Sequence, residues 1–188
     1  MRKFVDLQQE IIHTYRSPNL EARLSNKYES DAFQKWDDGF SGLSIGKVQF
    51  LSDGSSEHPC FTKIAVVDSI KTENVFFTHY CHFHKSILGD YVTFYGVLRC
   101  QVNYPEQKIH LPKTIITSPI GPFAELFPAL WKSIKVIYPN CHFFSYHFLQ
   151  EAIKEIPREE NTVYDLLFGY EAPLSKHYRG DSFFSPDR

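Results

Sequence analysis

The sequence lacks the short motifs that identify several large classes of enzyme. It has no GxxxxGK[ST] loop, no GxGxxG loop and no HExxH pair. These patterns serve phosphate binding, dinucleotide binding and zinc-dependent hydrolysis, so their absence disfavours those activities. We therefore predict no catalytic residue, no cofactor-binding residue and no cofactor. The sequence favours a binding protein over an enzyme.

Long apolar runs and an excess of basic residues are also missing. No stretch approaches the roughly 18–20 apolar residues that span a bilayer. The N-terminal residues MRKFVDLQQE show no secretion-signal pattern. We therefore expect no membrane partner and a cytoplasmic location. The formal net charge is −2, and because nucleic-acid binders usually concentrate basic residues, this balance argues against a nucleic-acid partner.

Cysteine is scarce and widely spaced. The four cysteines are Cys60, Cys81, Cys100 and Cys141, and none of them forms a CxxC pair. In a chain without a secretion signal, this spacing predicts reduced thiols that are mostly buried.

Aromatic residues, in contrast, are abundant. They make up 16% of the 188 residues, with 17 Phe and 11 Tyr. Each large ring can bury about 150–250 Å², so a few clusters of rings can dominate a core. Tyr and Phe are also enriched at the centres of protein interfaces. The composition therefore suits a compact domain that recognises another protein.

The pattern of apolar residues predicts an α+β fold. Residues 4–15 have helical spacing and predict an N-terminal helix. Strand patterns follow at residues 47–51, 61–70, 75–84, 91–102 and 109–117. Short turns join these strands, which is typical of an antiparallel β-meander of four to five strands. Helical patterns return after residue 122 and predict C-terminal helices that flank the sheet.

The same pass along the chain gives the domain organisation. We predict one globular domain over residues 1–170 and a polar, loosely held tail over residues 171–188. Residues 28–46 are rich in turn signals and predict loops, and Phe33, Trp36 and Phe40 are expected to anchor this segment. Residues 149–156 have a helical pattern.

The densest group of chemically versatile side chains lies in the third predicted strand, between residues 79 and 84. Because side chains alternate along a strand, His82 and His84 should share one face, and His79 should share the other face with Cys81. Two imidazoles at this spacing can bind one divalent transition metal. The metal-site residues that the sequence predicts are His79, His82 and His84.

A further ligand would have to come from elsewhere in the chain. The candidates are His58, His110, His142, His147, Asp68 and Asp90. The alternative interpretation is that the three histidines pack at the edge of the core and bond to the backbone or to water.

The triplet His82-Phe83-His84 resembles the His-hydrophobic-His core of HUH nucleases. The resemblance covers three residues. It implies that the two histidines hold a divalent metal and that a tyrosine attacks a DNA phosphate, which the acidic charge balance does not favour.

Three hypotheses follow for the function. The first is a cytoplasmic protein-binding module, of the inhibitor or toxin-neutralising immunity type, acting through an aromatic and mildly acidic surface. The second is a metal-assisted hydrolase or nuclease centred on His82 and His84. The third is a small-ligand carrier with an aromatic-lined pocket.

Overall fold

The computed structural model describes residues 4–53, 59–156, 161–169, 177–179 and 186. The helices in these residues are α1 (Phe4–Tyr15), α2 (Leu20–Ser25), α3 (Asp31–Phe40), α4 (Leu126–Ile137), α5 (Tyr146–Leu149) and α6 (Val163–Phe168). The strands are β1 (Ser44–Ile45), β2 (Val48–Gln49), β3 (Leu51–Asp53), β4 (Cys60–Lys71), β5 (Val75–Ser86), β6 (Tyr91–Asn103), β7 (Lys108–His110), β8 (Thr114–Ile116), β9 (His142–Phe143) and β10 (His177–Arg179).

The predicted meander is confirmed as the centre of an antiparallel sheet. Strands β3, β4, β5 and β6 are consecutive in the chain and neighbours in space, and each pair is antiparallel. Strand β8 continues the sheet beyond β6, and β10 adds a parallel strand beside β8. Strands β7 and β9 also pair with β6, near its two ends.

Helices cover both faces of this sheet, in agreement with the predicted α+β class. The face that carries Tyr95 and Tyr80 packs against α1, α5 and α6, and we call it the α6 face. The face that carries Cys81 and Phe83 packs against α3 and α4, and we call it the α4 face. The sheet is therefore the middle layer of three, and each of its faces has its own aromatic cluster. In the described residues, no helix has the length and apolar character needed to cross a membrane.

The prediction of loops over residues 28–46 is wrong for residues 31–40, which form α3, and holds for Ser41 and Gly42, which form a turn. Ser30 caps α3 by accepting a hydrogen bond from the backbone N–H of Phe33. Phe33, Trp36 and Phe40 then recur at helical spacing and pack on the α4 face, as the anchoring prediction required. Gly39, which suggested a turn, lies within the helix because its bare Cα faces the side chain of Ile137.

The prediction of a helix over residues 149–156 is also wrong. Only Leu149 is helical, at the end of α5. Ala152 instead forms an antiparallel bridge with Thr162, and the N–H of Ile153 donates to the carbonyl of Asn161 at 2.8 Å. The apolar residues Ile153 and Ile156 are buried. Hydrogen bonds to the segment before α6 therefore take the place of the helical hydrogen bonds that the pattern predicts.

The three longest strands extend past the helical layers. Strand β5 has 12 residues, as does α4, but a strand of that length spans about 40 Å and a helix only about 18 Å. The side chains that pack against the helices consequently end near Tyr80 on the α6 face and near Leu98 on the α4 face. We call the part of the sheet that lies beyond the described helices the distal sheet, which comprises residues 66–71, 75–80 and 98–103 together with β7.

Candidate functional site

The predicted metal-site histidines lie on opposite faces of β5. His82 and His84 lie on the α6 face, where they pair across the sheet with Tyr95 and Thr93. Their ring centroids are 6.1 Å apart. His79 lies on the α4 face, where its ring contacts Phe123 at 5.9 Å between centroids. The alternation along the strand is as predicted, and it separates His79 from the other two.

His84 is the centre of a buried hydrogen-bond network. Its Nδ1 is 2.9 Å from the hydroxyl of Thr62. Its Nε2 is 3.3 Å from the hydroxyl of Tyr95 and 3.4 Å from that of Tyr164, and these two hydroxyls are 3.0 Å apart. Both ring nitrogens are therefore engaged. Because Tyr164 belongs to α6, the network fastens this helix to the sheet.

Cys60 extends the same network at its other end. The thiol of Cys60 donates to the carbonyl of Phe168 at 3.0 Å, and its Sγ lies 3.4 Å from the Thr62 hydroxyl and 4.0 Å from His84 Nδ1. Since Cys60 is 3% exposed, this Cys–His pair is closed to a substrate. A fully satisfied network of this kind rigidifies a core.

His82 is held in a different way. Its ring stacks on Tyr95 at 5.5 Å between centroids with an interplanar angle of 7°. Its Nε2 is buried, and among the described residues no hydrogen-bond partner reaches it. Burial, together with the positive charges of Arg99 and Lys113, lowers the pKa of His82 to about 4. His82 is therefore a neutral packing residue at physiological pH.

The candidate metal ligands that the structure describes lie apart from His82 and His84. Within the described ranges, no group of three or more His, Cys, Asp or Glu side chains is arranged to hold a metal ion. His110 and His142 are exposed, and Asp68 lies 4.0 Å from His79 on the α4 face. His58 and the side chain of His147 lie outside the described part of the structure. A metal site at His79, His82 and His84 stays a prediction.

The four cysteines are free thiols, and Cys60, Cys81 and Cys141 are buried as predicted. Burial raises the pKa of the Cys81 thiol far above its ordinary value, which makes it unreactive at neutral pH. Cys141 is buried whereas its neighbour His142 is exposed, so the two side chains point apart.

One motif-like segment has the wrong structural context for catalysis. The segment from Gly42 to Gly46 matches the GxSxG pattern with Ser44 at its centre. That pattern serves catalysis when the serine lies on a sharp turn between a strand and a helix. Here Ser44 lies in β1, which forms a two-stranded hairpin with β2, and its hydroxyl donates to the carbonyl of Gly42 at 3.4 Å.

A groove beside α2 and α3 has a volume of about 540 Å³. Polar and small residues line most of it, including Asn19, Arg23, Asn26 and Ser30. The aromatic rings pack against each other in the two cores instead. This groove therefore does not have the aromatic lining that the carrier hypothesis predicts.

The distal sheet is apolar on its α4 face. The apolar side chains there are Ile70, Val75, Phe77, Leu98, Cys100, Val102 and Ile109, and the polar ones are Asp68 and His79. Ile70 is 49% exposed and Ile109 is 37% exposed. Among the described residues on this face of the distal sheet, Asp68 is the one carboxylate. The apolar residues thus form a contiguous surface beyond the edge of α4.

The α6 face of the distal sheet is aromatic and basic. It carries the cations Lys71, Arg99 and Lys108, and the alternation of β8 places Lys113 beside Arg99. Its rings are Phe76 and Tyr80. The remaining side chains that point to this face from residues 66–113 of these strands are neutral at pH 7, and none is a carboxylate. A basic surface therefore exists in a chain of net charge −2.

Comparison of the chain with protein-family models, with curated proteins and with solved structures found no match in any of the three.

Proposed function

We propose that this protein binds a partner protein through its distal sheet and does not itself catalyse a reaction. The observation that carries the proposal is the apolar α4 face of the distal sheet, which continues past the helices and exposes Ile70 and Ile109. Contiguous apolar surface on a soluble domain commonly marks a protein-interaction site.

The energetics of this surface suit an interface. Burying the exposed part of an isoleucine side chain contributes about 1 kcal/mol, and Phe77 and Val102 beside it are half-buried. The strands themselves are held in place by the pairing of β5 with β6 and of β5 with β4, which is interrupted by one bulge between Val66 and Asp68. A partner would therefore bind a preformed surface, which limits the entropy lost on association.

The occupant that we propose is a different protein with an apolar patch that binds the α4 face and a separate acidic segment that reaches round the end of the sheet to the opposite face. The acidic segment follows from the cations on the α6 face of the same strands, because interfaces place opposite charges against each other. The specific role we propose is inhibition of that partner, in the manner of an immunity-type protein. The free thiols are typical of a reducing compartment, and we propose that binding takes place in the cytoplasm.

A photo-reactive amino acid placed at residue 70 tests this function directly. In cells of the native host, irradiation should link the variant at Ile70 to one discrete partner protein, which mass spectrometry identifies. The matched control is Val136, which is 78% exposed on α4 and should give no such adduct.

Three outcomes would contradict the proposal. These are the same adduct from both positions, no adduct from residue 70, or an adduct with a second copy of this chain. The last result would mean that the apolar face is a homodimer interface.

A further inference from the structure

The basic α6 face of the distal sheet carries several cations, and the described strands place no carboxylate on the same face. Lys71 lies on β4, Arg99 on β6 and Lys108 on β7. All three are exposed. Adjacent strands lie about 4.8 Å apart. These charges are therefore spread from β4 to β7 across the distal sheet and are not gathered at one point.

Two of these cations are held in place by the rings beneath them. The guanidinium of Arg99 lies 4.8 Å from the centre of the Tyr80 ring. The ammonium of Lys71 lies 5.0 Å from the centre of the Phe76 ring. Such cation–π contacts restrict long side chains that would otherwise move freely. Less conformational entropy is therefore lost when a ligand binds them.

The charges also reach the interior of the sheet. The positive charges of Arg99 and Lys113 both act on His82, which lies under the same surface and whose pKa they help to lower. The charge of Arg99 therefore acts below the surface of the sheet as well as at the surface, where Arg99 is exposed.

We infer that the α6 face of the distal sheet binds an acidic, extended segment of the partner protein. This inference rests on the proposed function and names the chemistry of the partner. An extended peptide directs every second side chain to the same side, at intervals of about 7 Å. Lys71 lies level with Gln101 and Lys108 level with Asn103, so each is roughly 12–14 Å from Arg99 between Cα atoms. Acidic residues four apart in an extended segment can therefore meet Arg99 and one of its neighbours.

The observations favour an acidic peptide over single-stranded nucleic acid. Sheets that bind single strands stack bases on exposed aromatic rings. Here the rings of Tyr80 and Phe76 are already covered by Arg99 and Lys71. The net charge of −2 also repels a long polyphosphate more than a short peptide.

The test uses two probes of equal charge, a fluorescent oligoglutamate peptide and a fluorescent oligothymidylate. Fluorescence anisotropy should show that the full-length protein binds the peptide and that binding weakens as salt increases. The variant Arg99→Gln/Lys71→Gln should weaken binding of the peptide by roughly tenfold, because each exposed ion pair accounts for about two- to fivefold. The control variant Lys132→Gln/Lys154→Gln removes two other exposed lysines, has the same net charge and should bind as the natural protein does.

Each other result overturns the inference. No binding of the peptide, equal weakening by the two double variants, or tighter binding of the oligothymidylate would do so, and the last would assign the face to nucleic acid. Failure here is separate from failure of the proposed function. If Ile70 cross-links to a partner but the peptide does not bind, the inference of an acidic segment is wrong and the proposed function stands. If the peptide binds but Ile70 gives no cross-link, the proposed function is wrong and the basic face still binds acidic peptides.

Discussion

Acid should destabilise this protein in part through a single side chain, His82. The ring is stacked on Tyr95, its Nε2 is buried, and the pKa is lowered to about 4 by burial and by the charges of Arg99 and Lys113. In the unfolded chain the same side chain has its ordinary pKa of about 6.5. Between these two values the unfolded state binds more protons than the folded state, so stability falls as the pH falls from 6.5 to 4.

The size of the effect follows from the two pKa values. At about pH 5, nearly one more proton is bound at His82 in the unfolded chain than in the folded protein. Linkage then lowers the free energy of unfolding by about 2 kcal/mol relative to about pH 7.5. This is a large share of the roughly 5–15 kcal/mol by which domains are usually stable.

The assay is urea denaturation of the natural protein and of a His82→Phe variant at both pH values. Phenylalanine keeps a ring on Tyr95 and does not titrate, and no hydrogen bond of Nε2 is lost with it. The difference in unfolding free energy between the two pH values should be smaller in the variant by about 2 kcal/mol. Nuclear magnetic resonance of the folded protein should show no titration of the His82 ring above about pH 5.

Two results would refute this reasoning. One is a His82 ring that titrates near pH 6.5 in the folded protein, and the other is an unchanged pH difference in the variant. Either result would mean that His82 is solvated and available for chemistry, and it would reopen the metal hypothesis.

Two further substitutions test the packing on which the fold depends. Tyr164→Phe removes the hydroxyl that contacts His84 and Tyr95 and should lower the free energy of unfolding by about 0.5–1.5 kcal/mol in urea titrations, because His84 and Tyr95 each lose one hydrogen-bond partner and keep each other. An unchanged midpoint would contradict the network. Gly96→Ala places a Cβ 2.5 Å from the Phe123 ring and should cost about 1–3 kcal/mol in thermal or chemical denaturation; a variant as stable as the natural protein would show that the ring is free to move.

The parts of the fold that sequence patterns predicted are those governed by local periodicity. Helix α1 has the predicted bounds, Phe4–Tyr15, and its apolar residues Leu7, Ile11 and Ile12 are buried. Strands β4, β5 and β6 differ from their predicted ranges by one or two residues at the ends. Alternation also placed His82 and His84 on one face and His79 on the other.

The errors occurred where a distant partner overrode a local signal. Gly39 suggested a turn, yet it lies in α3 because the side chain of Ile137 from α4 packs against it. Residues 149–156 have helical periodicity, but pairing with the segment before α6 prevailed. Neither contact can be read from a stretch of neighbouring residues.

The candidate site was even less accessible from sequence. The network that joins Cys60, Thr62 and His84 to Tyr95 and Tyr164 depends on the register of three strands and on the position of α6. The apolar face and the basic face of the distal sheet exist because the strands are about twice as long as the helices that pack on them. Sequence patterns do not show where the helices end along the strands. The hypothesis of a mildly acidic surface followed from net charge alone, which does not say where on the molecule the charged side chains lie.

The most direct test of the central claim is the affinity of the cross-linked partner for two charge insertions. Ile70→Glu places a carboxylate in the apolar face of the distal sheet, and Val136→Glu places one on α4, where the side chain is 78% exposed. Titration calorimetry should show binding weakened by at least about tenfold for Ile70→Glu, since a buried unpaired charge is costly, and nearly unchanged for Val136→Glu. Equal affinity of both variants, or a loss confined to Val136→Glu, would contradict the assignment of the distal sheet as the binding surface.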